Sequence, residues 1–202
     1  MKILLFADLH TFYKNDLSKI VDDYDICFFL GDIKSSTLKY IITNIKEVPI
    51  YAVLGNHDDK NVIISVNTYL QELKTYEMYQ GYSLENINLK KYEYQEITFT
   101  GIEGSEKYKY NQPGYTQEES LQLNVPKADI LFAHDTGWNY MDDNRKIGLK
   151  GINQYIKNRQ PKYHIFGHFH TNINFIEENT FCYCIYGCSI FDTEKNIIKN
   201  IF

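Results

Sequence analysis

The chain lacks any apolar run approaching the ~20 residues that a membrane-crossing helix needs. It also lacks an excess of positive charge: 21 Lys and Arg stand against 26 Asp and Glu, a net charge of -5. That balance removes the broad electrostatic footprint expected of a duplex nucleic-acid surface. It leaves room for a phosphate substrate, because bound cations reverse the local field of an acidic protein. Cysteine is scarce: Cys27 stands alone, and Cys182, Cys184 and Cys188 crowd together without a second pair at zinc-ribbon spacing. Buried free thiols are the leading reading, with a disulfide or a thiolate metal site left open. The start, MKILLFADLH, is too short for a signal peptide and reads as a strand. Internal repeats, low-complexity tracts and linkers are absent too. These absences describe one cytoplasmic, non-membrane domain over residues 1–202.

What is present is a recurring junction in which an apolar run ends in ligand-type side chains. The runs KILLFA, DICFFL, IYAVL, ADILFA and YHIFG are followed by Asp8-Leu9-His10, Gly31-Asp32, Gly55-Asn56-His57-Asp58, His134-Asp135 and His168-Phe169-His170. The runs read as buried strands. Between them, helical spacing predicts a helix capped by Ser36 or Thr37 and running to about Ile45, another at about 60–72, and a third over 147–158. Residues 104–120 read as a polar loop, with Thr116 and Glu119 making a capping box for a short helix. The C-terminal part reads as a hairpin turning at Glu178-Asn179 and then a last strand. Alternating strands and helices place ligand loops at the carboxyl edge of a parallel sheet.

The residue types at these edges suit metal-assisted phosphoryl chemistry. Such a site needs hard oxygen donors, neutral imidazoles and one carboxylate that two ions share. Asp8 and His10, two apart, can reach one ion; Asp32, after a glycine, is the candidate for sharing. Asn56 offers an uncharged carbonyl, and His134, His168 and His170 offer three imidazoles. His164 lies inside a strand run and reads as structural. Each cluster alone is an ordinary turn; their sum is not.

In this order and spacing the clusters resemble the calcineurin-like metallophosphoesterase superfamily, above all its small single-domain prokaryotic members. The resemblance implies a four-layer α/β/β/α sandwich of two mixed sheets flanked by helices. It implies that Asp8, His10, Asp32 and His170 hold one ion, and that Asp32, Asn56, His134 and His168 hold the other. His57 would be the catalytic histidine that binds no metal, and Asp58 would orient it. Two divalent transition-metal ions are implied, manganese first, with iron, zinc, cobalt or nickel as alternatives. The implied reaction is attack on a phosphomonoester or phosphodiester by a hydroxide bridging the ions. Two departures bear on the substrate: His134 is followed by Asp-Thr-Gly, and Gly31-Asp32 by Ile-Lys-Ser.

A small phosphate ester is the expected substrate. The alternatives are a nuclease acting on DNA or RNA ends, and a silent binding protein of the same fold. Lys107, Tyr108, Lys109, Tyr110 and Tyr115 interleave cations and rings in the polar loop, as a single-strand contact would require. That loop is expected to lie over the metal site.

Overall fold

The computed structural model describes residues 1–21, 23–137 and 147–202. It runs through β1 (Lys2–Ala7), a 3₁₀ turn (Lys14–Lys19), β2 (Ile26–Phe29), α1 (Ser35–Asn44), β3 (Ile50–Ala52), α2 (Val62–Thr75) and β4 (Leu84–Asn86). Next come β5 (Lys91–Tyr94), β6 (Ile97–Ile102), the short β7 (Ser105–Glu106) and β8 (Gly114–Tyr115), α3 (Gln117–Leu121), β9 (Ile130–Ala133) and α4 (Lys150–Arg159). Last are β10 (Tyr163–Phe166), β11 (Ile173–Glu177), β12 (Thr180–Cys184), β13 (Gly187–Asp192) and β14 (Ile197–Asn200).

These strands form two mixed six-stranded sheets, β14-β13-β1-β2-β3-β4 and β11-β12-β10-β9-β6-β5. In the first, β1 to β4 run parallel, while β13 lies antiparallel to β1 and β14 to β13. In the second, β6, β9, β10 and β12 are parallel and the edge strands β5 and β11 antiparallel. The sheets pack face to face: Ile3, Leu5 and Phe28 of the first share a core with Phe99, Phe132 and Ile165 of the second. The rings of Phe28 and Phe132 stack with centroids 3.9 Å apart. On the outer faces, Leu38, Ile41, Val66 and Leu70 of α1 and α2 cover Leu4, Phe6 and Phe29. Ile152 and Ile156 of α4 cover Leu131 and Phe166. The result is the expected α/β/β/α arrangement. Strands buried on both faces favour apolar residues at every position, which is why β2 and β9 are continuous runs and β10 is broken only by His164.

Several boundaries differ from expectation. Helix α1 starts at Ser35, with Lys34 at the cap position and no capping side chain, so neither Ser36 nor Thr37 caps it. Helix α2 runs three residues past the expected end at 72. Ile147 precedes α4, and residues 138–146 lie outside the described residues. The polar loop contains the two-residue parallel pair β7–β8, and the Thr116–Glu119 capping box is formed. The β11–β12 hairpin turns at Glu178 and Asn179, both with positive φ, as two-residue hairpin turns require. All four cysteines are buried and free, which rules out the disulfide. Among the described residues, no helix is long and apolar enough to cross a membrane.

Candidate metal centre

Each ligand-type residue leaves the carboxyl end of a strand: Asp8 after β1, Asp32 after β2, Asn56 and His57 beyond β3, His134 after β9, and His168 and His170 beyond β10. Because these strands belong to two facing sheets, the residues converge across the gap between them. Asp8, Asp32, His168 and His170 have φ values of 55°, 55°, 73° and 50°. Left-handed backbone costs a non-glycine residue on the order of 1–3 kcal/mol and concentrates where function needs it. Gly31 and Gly55 let the β2 and β3 loops touch. A Cβ on Gly31 would strike the Gly55 backbone, and one on Gly55 would strike the Asp32 carboxylate.

Two clusters emerge that could hold a metal ion, Asp8–His10–His170 and Asp32–His134–His168. In the first, the Nε2 atoms of His10 and His170 lie 3.0 Å apart, and Asp8 Oδ1 lies 3.8 Å from His170 Nε2. Asp8 Oδ2 accepts the His168 amide at 2.8 Å, whereas Oδ1 is buried without a hydrogen-bond partner. Burial pushes the Asp8 pKa up to about 7. Burial also lowers the His10 pKa, helped by the neighbouring histidines and opposed by Asp32.

The second cluster is the more enclosed: Asp32 and His134 are buried and His168 is half-buried. His134 Nδ1 lies 2.7 Å from the Leu30 carbonyl. A carbonyl only accepts, so Nδ1 carries the proton and Nε2 of the neutral ring presents its lone pair inward. Around that nitrogen stand Asn56 Oδ1 at 2.9 Å, His168 Nδ1 at 3.2 Å and Asp32 Oδ2 at 3.5 Å. Burial by itself lowers the His134 pKa, but Asp32 and Asp8 outweigh it and raise it to about 9. Burial likewise acts against Asp32, and the adjacent His134 outweighs it, holding that carboxyl down near 2. His168 is lowered to about 4, first by burial and then by His134.

This donor set fits a cation. Electron-rich atoms face one another at hydrogen-bond range, and an inward positive charge, proton or metal, is what makes that arrangement favourable. Asp32 belongs to the second cluster, and its field also reaches His10. Asn56 joins the same cluster through its carbonyl oxygen, because its Nδ2 donates to the Tyr108 hydroxyl at 3.1 Å. The polar loop thus touches the site through Tyr108. Asp135, buried behind His134, accepts the Thr136 and Glu106 amides and so anchors the start of that loop. Lys107 is engaged by Glu119 at 3.1 Å, which takes one cation away from a nucleic-acid contact.

His57 is exposed and sits outside both clusters, its ring edge-on to His10 with centroids 6.0 Å apart. Asp58 does something the sequence did not reveal. Its carboxylate accepts the amides of Gly55 (2.7 Å), Asp32 (2.9 Å) and Ile33 (3.0 Å), which locks the β3 loop to the β2 loop. Its reach to His57 therefore runs through the backbone: the His57 amide donates to Asp32 Oδ1 at 2.8 Å. Burial raises the Asp58 pKa to about 6 against those amides. His164 is fully buried beside Leu131, its Nδ1 3.3 Å from the Leu131 carbonyl, and burial lowers its pKa to about 4; its place is structural.

A family model described as a calcineurin-like phosphoesterase superfamily domain matches residues 1–187. The protein MJ1162 of Methanocaldococcus jannaschii is 28% identical, the match covering 98% of this chain and 94% of that one. Among solved structures, TT1561 of Thermus thermophilus superposes with a TM-score of 0.67 at 13% identity, covering 98% of this chain and 96% of its own. A novel archaeal phosphodiesterase superposes at 0.55 with 15% identity, covering 98% of each chain. At these identities the structural likenesses establish the fold.

Proposed function

This chain belongs to the calcineurin-like phosphoesterase superfamily, and we propose that it hydrolyses small phosphomonoesters or phosphodiesters at a two-metal centre. The observation that carries the reading is the inward convergence of polar atoms from both sheets, above all the Nε2 of His134 facing Asn56, Asp32 and His168. Asp8, His10, Asp32 and His170 would hold one divalent ion; Asp32, Asn56, His134 and His168 would hold the other, with Asp32 shared. Bound there, such ions supply Lewis-acid polarisation of phosphoryl oxygens and a water acidic enough to act at neutral pH. Manganese is the first choice, with iron, zinc, cobalt and nickel compatible with mixed nitrogen and oxygen donors.

The chain's own residues supply positioning and proton transfer. Asp58 fixes the β2 and β3 loops through three amides, and so sets where Asp32, Asn56 and His57 stand. His57 gives its proton to the departing oxygen, a role open to an exposed imidazole at the rim of the site. Residues 1–202 act as one domain. Four free, buried thiols fit a reducing compartment, the cytoplasm.

Protein loaded with manganese should turn over aryl phosphate or bis-aryl phosphate. His57→Ala should cut that turnover by roughly 10²- to 10⁴-fold on a poor leaving group. Metal content should stay at two ions per chain, measured by elemental analysis. Full activity in the variant removes the role assigned to His57. Absence of turnover on every ester in the loaded wild type removes the enzyme reading and favours a binding protein.

A further inference from the structure

A cavity of about 380 Å³ opens beside the two clusters, lined by His10, Asp32, Lys34, Ser35, His57 and Val62 among others. Its volume is that of a small-molecule pocket. A proton donor must lie within hydrogen-bond reach of the oxygen it serves. With His57 on the wall of this cavity, the group that departs on that oxygen is housed here.

The wall has a definite chemistry. Ile33 and Val62 are buried and apolar. Ser35 and Ser65 bring their hydroxyl oxygens within 3.4 Å, and Lys39 Nζ reaches Ser65 Oγ at 3.1 Å. Lys34 is exposed and lines the same cavity. Its neighbour Ile33 is pinned through its amide to Asp58, and α1 begins at Ser35, so Lys34 is held on the loop that carries Asp32. Lys19, Lys46, Lys107 and Lys195 each face a carboxylate, whereas no ion pair is found for Lys34 among the described residues. Of the lining carboxylates, Asp32 belongs to the metal cluster and Asp58 is taken up by amides. Asp59 is turned onto the Asn61 amide at 2.8 Å. The Ile-Lys-Ser run after Gly31-Asp32, a departure that bears on the substrate, is therefore a wall of this pocket.

Resting on the phosphoesterase reading, we infer that the leaving group of the natural substrate carries its own anionic group, received by Lys34 with Ser35 and Ser65. The scissile phosphoryl group is already served by the metal clusters, so the Lys34 ammonium on the wall of the same pocket answers to a second negative charge. The substrate class is a phosphate ester of an alcohol that bears a phosphate or carboxylate.

The test compares the phosphate esters of 4-methylphenol and 4-(phosphonomethyl)phenol with manganese-loaded protein. Wild type should favour the charged ester by roughly tenfold in kcat/KM, the scale of one charge-assisted hydrogen bond. That preference should shrink as salt is raised. Lys34→Ala should bring the two esters level, and Lys34→Arg should restore the preference. Both esters turned over equally well by wild type, or a preference unmoved in Lys34→Ala, would overturn the inference while leaving the enzyme reading intact. No turnover of either ester would overturn the enzyme reading, and the inference with it.

Discussion

His134 and His170 sit in neighbouring clusters and are built in opposite ways. The His134 side chain is wholly buried and its outer nitrogen is pinned to the Leu30 carbonyl. The His170 side chain is half exposed, and among the described residues no hydrogen bond fixes its outer nitrogen. The contrast extends to their partners. Asp32 and Asn56 are buried beside His134, whereas only Asp8 is buried in the other cluster. A ligand already held in its binding orientation loses little freedom on loading, so the His134 side should bind its ion more tightly. The exposed side should exchange its ion readily with solution.

The largest test of that asymmetry is Asp32→Ala set against His10→Ala. Asp32→Ala should empty both positions and lower turnover by more than the roughly 100-fold that changes to outer partners cost. His10→Ala should release one ion and retain the second, read as about one manganese per chain. Loss of both ions from His10→Ala, or retention of both in Asp32→Ala, would break the comparison.

A smaller effect is expected from pH. Burial lowers the His134 pKa, yet Asp32 and Asp8 raise it to about 9, above its ordinary 6.5. The folded chain then holds a proton that the unfolded chain has released, and this contribution to stability disappears as pH climbs from 6.5 through about 9. Asp8, raised by burial to about 7, adds to the loss over the lower part of that range. His168, lowered to about 4, acts in the opposite direction only below 6.5. The Tm of metal-free protein should therefore fall from pH 6.5 to 9, and saturating manganese should flatten the fall by supplying the missing charge. A Tm that rises over this interval without metal contradicts the account of His134.

The mildest expectation is for Tyr108→Phe. Removing the hydroxyl that accepts from Asn56 Nδ2 frees the amide to turn. One neutral hydrogen bond of this kind is worth about 1 kcal/mol, hence a loss of a few-fold in affinity. The deficit should fall on the enclosed ion alone, seen in a manganese titration with two resolved steps. An equal effect on both ions would show that Tyr108 supports the site as a whole.

The strands and the polar residues that end them are legible because a strand buried on both faces leaves a largely apolar run, and its end is marked by the first polar residue. That signal is local, as in KILLFA before Asp8 and ADILFA before His134. Pairings between distant segments left no such mark. The antiparallel docking of β13 on β1, nearly the whole chain apart, follows from tertiary packing. The backbone contacts of Asp58 left no mark for a related reason. Adjacency to His57 suggested a side-chain partner, but the turn after β3 aims the carboxylate at three amides. The Leu30 carbonyl, which sets the tautomer of His134, is a backbone atom and has no sequence signal.

The division of the ligands between two sheets has a consequence for the order of events as the protein is made. Asp8, His10, Asp32 and Asn56 leave the ribosome early, but His134, His168 and His170 belong to strands synthesised much later. The first sheet itself stays open until β13 arrives to cover the flank of β1. Neither cluster exists in a half-made chain, since each draws on both sheets. A metal ion held by these clusters would be captured late, a timestamp on the meeting of the two sheets, since an early, incomplete chain has little with which to sequester one.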